Sequence, residues 1–316
     1  MSIRVFYTKA VIFTAIVMTA VLISDALSVY GPTRWGMARV TDSTEYISGN
    51  VGPDEIVPYI YRTLDPGEST RLILGDSVCH QMFEGLQQYN DAYAIIPSNG
   101  AITISGQYIL AHEYLESTPD VTDIYLLVLP DSLIRSYDTT YGYQYAVMPV
   151  VLTDTLRLLD EDTIDIMKQT YGDIFLRYRV VKLIDPSGMN RKLYLNILRD
   201  RTDGYEPEYQ YELADRYLGK IHEECVARGV KFHLIPCPVA ESRKPSMEEL
   251  RVAAGDSEVL RIAPDFFDRI VYYPDEEAAD KTHFSGEYAN QMCYNDKIVK
   301  MFEGEDILDS LILEGK

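Results

Sequence analysis

The chain has 316 residues, 47% of them hydrophobic and 25% charged, a composition that excludes a disordered segment and gives enough length for one large core or two small ones. Its formal net charge of −20 argues against nucleic acid as a partner, because a phosphate backbone selects basic surfaces. The same charge would repel polyanionic substrates unless a local site compensates, and the 25 tyrosines offer rings that stack on sugars, line an interface or fill a core.

Arg4 and Lys9 precede the apolar run Ala10–Ile23, which Asp25 interrupts. Extended over Val5–Phe6 and Ala26–Val29, the segment approaches the ~20 residues that span a bilayer. It reads as an uncleaved signal anchor over residues 1–30. A cleaved signal peptide has the same charged start and apolar middle, although Ser24-Asp25-Ala26-Leu27-Ser28 is a poor cleavage site. A buried core helix is the third reading. The leading positive charges predict a single-pass anchor with a cytoplasmic N-terminus and the body outside the cell membrane, periplasmic or extracellular. Arg34 and Arg39, beyond the span, pull the other way.

Residues 31–69 are rich in Gly, Pro and polar side chains and predict an irregular linker. The domain that follows, 70–316, opens with a short buried strand at Arg71–Leu74 and a helix over Val78–Tyr89. Ala92–Ile96 is the next strand, closed by Pro97-Ser98-Asn99-Gly100, and helical spacing resumes over Ser105–Glu116. The continuous apolar run Ile124–Leu129, stopped by Pro130, predicts a central parallel strand buried on both faces. After an interruption come a helix over Tyr209–Arg228, a strand at Lys231–Ile235, a short strand near Arg269–Tyr272 and a final helix from Gly286 to Phe302. Strands alternating with helices predict an α/β fold, a parallel sheet with helices on both faces and its site at the carboxyl ends of the strands. The alternation fails over about 136–208, a stretch holding Tyr137, Tyr141, Tyr143, Tyr145, Tyr171 and a hairpin at Arg177–Leu195; it reads as an insertion.

Cys79, Cys225, Cys237 and Cys293 are scattered, with no C-x-x-C pair and no histidine at metal-ligand spacing, so neither a zinc site nor any other metal or cofactor is expected. Four buried thiols is the expectation; a Cys225–Cys237 disulfide, between the end of a helix and the strand that follows, is the alternative.

Two motifs carry the chemistry. Leu72-Ile73-Leu74-Gly75-Asp76-Ser77 runs a strand into Gly-Asp-Ser, and Asp280-Lys281-Thr282-His283 places Asp-x-x-His just before the last helix. A serine hydroxyl is a weak nucleophile until a neutral imidazole accepts its proton, and the imidazole needs a carboxylate to fix its tautomer. Ser77, His283 and Asp280 supply those three parts. Gly75 is expected to permit a sharp turn that presents Ser77 at a helix start, where backbone N–H groups favour an oxyanion. Asp76 is expected to brace the turn. His80, directly after the turn, is expected to face solvent or pack on the helix, with a catalytic role as the alternative, and His112, His222 and His233 are most simply structural.

Gly75-Asp76-Ser77, the Asn99-Gly100 turn and Asp280-x-x-His283 together resemble the SGNH (GDSL-type) hydrolase superfamily, over about residues 70–130 and 230–300. With an anchor and a long insertion, the chain looks most like the membrane-anchored branch that acts in bacterial surface polysaccharide O-acetylation, which includes alginate acetylation. The resemblance implies a three-layer, flavodoxin-like sheet and a serine esterase or O-acetyltransferase working through an acyl-Ser77 intermediate. Its implied partners are an acetylated glycan or acyl donor and a membrane-bound O-acyltransferase. The implied oxyanion hole uses the N–H groups of Ser77 and Gly100 and an asparagine side chain. Where that asparagine belongs, this chain reads Pro130-Asp131-Ser132, so the candidate replacements are Ser132, Asn99, a backbone N–H or a partner protein. A plain secreted carbohydrate esterase or lipase, and a non-catalytic glycan-binding or assembly protein, are the other readings.

Overall fold

Residues 3–29, 69–83, 93–97, 103–137, 150, 155–172 and 211–285 are described by the computed structural model. Gly100 and Asn99, the hairpin Arg177–Leu195, the final helix Gly286–Phe302, the linker up to residue 68, Tyr141, Tyr143, Tyr145 and Cys293 lie outside the described residues.

The first element, α1 (Ile3–Val29), is one continuous helix, and its window Ile3–Ala20 has a mean hydropathy of 1.5 with no part of it buried. It is long and apolar enough to cross a membrane, and it is not a core helix.

β1 (Arg71–Gly75) leads directly into α2 (Ser77–Phe83), followed by β2 (Tyr93–Ile95), α3 (Ile104–Ser117) and β3 (Asp123–Val128). Further on are α4 (Glu161–Tyr171), α5 (Glu212–Arg228) and β4 (Lys231–Pro236). The four strands form one parallel sheet in the order β2-β1-β3-β4. Leu72, Ile73 and Leu74 of β1 and Ile124 to Val128 of β3 are almost wholly enclosed, as strands covered on two faces must be. Side chains alternate across the sheet. Gly75 faces Cys79 of α2, whereas Phe232, on the opposite pleat, meets the ring of His222 on α5. Helices thus cover both faces.

Because β2 and β3 flank β1 on opposite sides, the chain leaves the sheet in opposite directions after β1 and after β3. A crevice at the carboxyl ends is the geometric result. Ser77 follows β1 there, and a 3₁₀ turn, Pro130–Ile134, follows β3.

Two short strands, β5 (Val239–Ala240) and β6 (Tyr272–Tyr273), pair in parallel beside this sheet. Between them lie α6 (Lys244–Ala254) and α7 (Glu258–Ile262). The sequence places a strand at Arg269–Tyr272, but Phe267–Arg269 is a 3₁₀ turn and the strand begins at Tyr272. Phe266, Phe267 and Ile270 are all buried, a turn-like spacing that strand alternation does not give.

Within 136–208 the described part is a helix that docks. Asp160 caps α4 by accepting from the Thr163 N–H, and Arg216 and Lys220 of α5 pair with the same carboxylate at 2.8 and 3.2 Å. Tyr217 donates to Thr163 Oγ1 at 2.8 Å. Tyr137 and Tyr171 meet edge to face at 6.5 Å. Seven of the ten largest fully buried side chains are tyrosines, so these rings serve the core.

Candidate active site

β1 ends on Gly75 because nothing larger fits. A Cβ there would stand 2.3 Å from both the Leu127 carbonyl oxygen and Cys79 Cβ. Gly75 is not among the glycines with positive φ. The glycine is required by the close approach of α2 to β3, not by the sharp turn that the motif suggests.

Asp76 is buried and bridges two segments. Its Oδ1 accepts from the N–H groups of Val78 (3.1 Å) and Cys79 (3.5 Å), and its Oδ2 accepts from the Leu129 N–H and the Ser132 hydroxyl, both at 2.7 Å. Burial pushes its carboxyl above the usual range, against the pull of these hydrogen bonds. The His80 N–H is taken by the Asp76 carbonyl. Of the first four amides of α2, that of Ser77 is therefore the one without an acceptor among the described residues.

Ser77 Oγ lies 2.9 Å from His283 Nε2. His283 Nδ1 lies 3.0 Å from Asp280 Oδ2 and 3.2 Å from Oδ1. Asp280 Oδ1 also accepts from the Thr282 and His283 N–H groups, both at 2.7 Å, which closes the loop on its own carboxylate. What burial there is would raise Asp280, but the His283 ring and these two amides outweigh it and hold the carboxyl at about 2. The carboxylate stays ionised, and the tautomer with its proton on Nδ1 leaves Nε2 free to accept from Ser77. Phe284 is fully enclosed, its ring 5.8 Å from Tyr273, and Gln81 of α2 donates to the Phe284 carbonyl at 3.2 Å. The Asp280–His283 loop is thus tied to the helix that carries Ser77.

The structure brings Ser77, His283 and Asp280 together. Gly100 and Asn99 fall outside the described residues. Ser132 is nearby but gives its one hydroxyl proton to Asp76, so it has none for an oxyanion. Asp131 accepts from Arg243 Nη2 at 2.5 Å, which neutralises the charge that the sequence alone sets against an oxyanion. A cavity of about 690 Å³ opens between the β3 exit turn and the base loop, with Asp131, Arg135, Arg243, Asp280 and Lys281 in its lining.

Two further histidines are held by carboxylates. His112 is held by both oxygens of Glu224 at 3.0 Å, and His233 pairs with Asp123 at 2.9 Å. Cys79, Cys225 and Cys237 are buried free thiols, so the Cys225–Cys237 disulfide is not formed. Burial, then Glu224, pushes the Cys225 thiol up to about 12. Among the described residues, no group of three His, Cys, Asp or Glu side chains is placed to hold a metal.

Sequence reasoning missed Gln81 and Arg243. Gln81 has a weak signal, since it lies one helical turn beyond Ser77. Arg243 has none, because its partners are far off in sequence. Comparisons with family models, curated proteins and solved structures find no match to this chain.

Proposed function

We propose that the chain is a serine acyl-transfer enzyme of the SGNH (GDSL) kind, held to a membrane by α1 and acting on acyl esters of a surface or exported polysaccharide. One observation carries the reading: Ser77 Oγ is 2.9 Å from His283 Nε2, with Asp280 on the other ring nitrogen, at the carboxyl edge of a parallel sheet. The strand order β2-β1-β3-β4 also supports it, being the first four strands of the flavodoxin-like order.

In the reaction, Ser77 Oγ attacks the ester carbonyl as its proton passes to His283 Nε2. The carbonyl oxygen becomes an oxyanion facing the Ser77 N–H, with Gly100 or Asn99 as further donors. His283 then gives the proton to the departing alcohol, leaving acyl-Ser77. Water or a sugar hydroxyl next loses its proton to His283 and attacks the acyl group. The proton returns to Ser77 as the acid or the new ester leaves. The adjoining cavity can hold the acceptor. The pairing of Asp131 with Arg243 removes the main objection to catalysis, a bare carboxylate at the oxyanion.

A fluorophosphonate probe and burst kinetics with p-nitrophenyl acetate test the reading. Stoichiometric labelling of Ser77 and a burst, both lost in Ser77→Ala, are expected. An unlabelled Ser77 in folded protein points instead to a non-catalytic glycan-binding protein. Supplying a glycan acceptor then separates transfer from hydrolysis by the product formed.

A further inference from the structure

The base loop is attached to the sheet in a way that neither motif discloses. The Ala279 and Asp280 N–H groups bond to the His283 carbonyl, and those of Thr282 and His283 bond to Asp280. These contacts close the loop on itself without fixing where it stands. The loop is also open to solvent, with the Asp280 side chain 59% exposed. Gln81 reaches it at Phe284, beyond His283. On the near side of His283 it is reached by Arg243, whose Nη1 donates to the Lys281 carbonyl at 3.3 Å.

Arg243 closes the 3₁₀ turn Glu241–Arg243 that feeds α6. The preceding residue is also anchored, the Ser242 N–H bonding to Asp275 Oδ1 at 3.0 Å. A guanidinium on a flexible stem holds a carbonyl in place only if it is itself held, and a carboxylate does this best. Asp131 fills that part. Its Oδ2 is enclosed and finds no donor among the described residues, so its charge depends on Arg243. Asp131 stands between Leu129 and Ser132, both bound by Asp76, the neighbour of Ser77. The path runs from Ser77 through Asp76, the β3 exit turn, Asp131 and Arg243 to Lys281, beside Asp280 and His283.

We propose that Asp131 and Arg243 form a strut that sets the Asp280–His283 loop at reacting distance from Ser77, with Arg243 as a positioning residue. The inference rests on the triad reading. It explains an aspartate where the resemblance leads one to expect asparagine: a neutral amide grips a guanidinium more weakly than a carboxylate does.

The test uses the full-length protein in detergent and the variants Arg243→Ala, Arg243→Lys and Asp131→Asn. Arg251→Ala is the control, since Arg251 pairs with Asp268 on the outer side of α6. Arg243→Ala should slow fluorophosphonate labelling of Ser77 about 10–100-fold, lowering kcat for p-nitrophenyl acetate while KM stays as in the wild type. Asp131→Asn should act in the same direction, and the double variant should be little worse than Arg243→Ala. Arg243→Lys, able to keep one of the two contacts, should fall between. Hydrogen exchange at the Thr282 and His283 amides should quicken about tenfold in Arg243→Ala, with β3 unchanged. Unchanged labelling and exchange overturn the strut. A raised KM at constant kcat also overturns it, assigning Arg243 to substrate binding in the cavity. If the wild type fails to label, the triad reading falls, and exchange alone decides the strut. Should Arg243→Ala not fold, Asp131→Asn and Arg243→Lys supply the same readouts.

Discussion

Two histidine–aspartate pairs stand at opposite edges of one sheet. At the amino edge, Asp123 opens β3 and its Oδ1 lies 2.9 Å from His233 Nε2. Burial would raise Asp123, but hydrogen bonds from His233 and Thr122 outweigh it and the carboxyl lies below its ordinary value. Asp280 is lowered in the same sense by His283. The electrostatics of the two pairs are alike, and their surroundings are not. His233 lies flat on Tyr125, ring centroids 4.4 Å apart and 9° from parallel, and spends Nε2 on its aspartate. His283 meets Asp280 through Nδ1 and turns Nε2 to Ser77. Residue type is common to both, so the difference lies in which end of the strands is involved. The crevice created by the reversal in strand order opens only at the carboxyl end.

Breaking the two pairs separately should give opposite outcomes. Ser77→Ala and His283→Ala should each cut acyl-ester turnover by about 10⁴–10⁶, and the double variant should add little, because the residues act as one unit. Asp280→Asn should be about 10–100-fold milder. His233→Ala should leave turnover unchanged and lower the unfolding free energy by about 1–2 kcal/mol, the cost of a buried carboxylate losing one hydrogen bond while Arg71 stays 3.9 Å from its other oxygen. Urea unfolding and initial rates on the same preparations check this. A folded His233→Ala that has lost activity would erase the distinction between the two edges.

Gly75 sharpens the comparison from the side of the scaffold. A methyl group there meets the Leu127 carbonyl, which belongs to the backbone and has no rotamer to change. Gly75→Ala should therefore destabilise the protein by about 1–3 kcal/mol and displace α2 with Ser77 on it. Activity should fall further than stability alone explains. Gly219→Ala, inside α5, meets nothing closer than Glu258 Cγ at 3.9 Å and serves as the control, expected to stabilise by about 0.4–1 kcal/mol. Equal effects at the two glycines, measured by melting and by labelling of Ser77, would show that close packing does not position Ser77.

What the sequence made legible follows from range. β1, β3 and β4 are short apolar runs ended by Gly75-Asp76 or by proline, and their ends were readable to within one or two residues. Ser77 and His283 were readable because each motif is contiguous and a parallel sheet fixes which ends of its strands meet. α4, α6 and α7 leave a weaker signal: α4 buries Thr163 and Thr170 beside Met167 and Tyr171, so its inward face is half polar, most of α6 faces solvent, and α7 is only five residues long. Taken by itself in the sequence, Asp131 opposes an oxyanion. Its meaning depends on Arg243, more than a hundred residues away, and a pairing over that distance leaves no local pattern.

The smallest expected effect concerns a third histidine–carboxylate pair, between helices and away from both edges. His112 of α3 is held by both Glu224 oxygens at 3.0 Å, and Tyr108 donates to the same carboxylate at 3.1 Å. The hydrogen bond His112 donates to Glu224 raises its pKa, burial opposes it, and the charges of Glu224, Glu113 and Glu116 add to the rise. A histidine raised in the folded state contributes stability that is complete below its unfolded value, about 6.5, and is lost as pH rises through the folded value. Wild-type stability should thus decline between about pH 6 and pH 8.5 more than that of His112→Gln, which keeps a neutral hydrogen bond to Glu224. The difference should stay under about 1 kcal/mol, since the pair is partly solvated. Urea unfolding at both pH values reads it, and turnover should follow neither change. Parallel pH slopes in the two proteins would mean that the α3–α5 contact is held by Tyr108 and apolar packing, with no charge on His112.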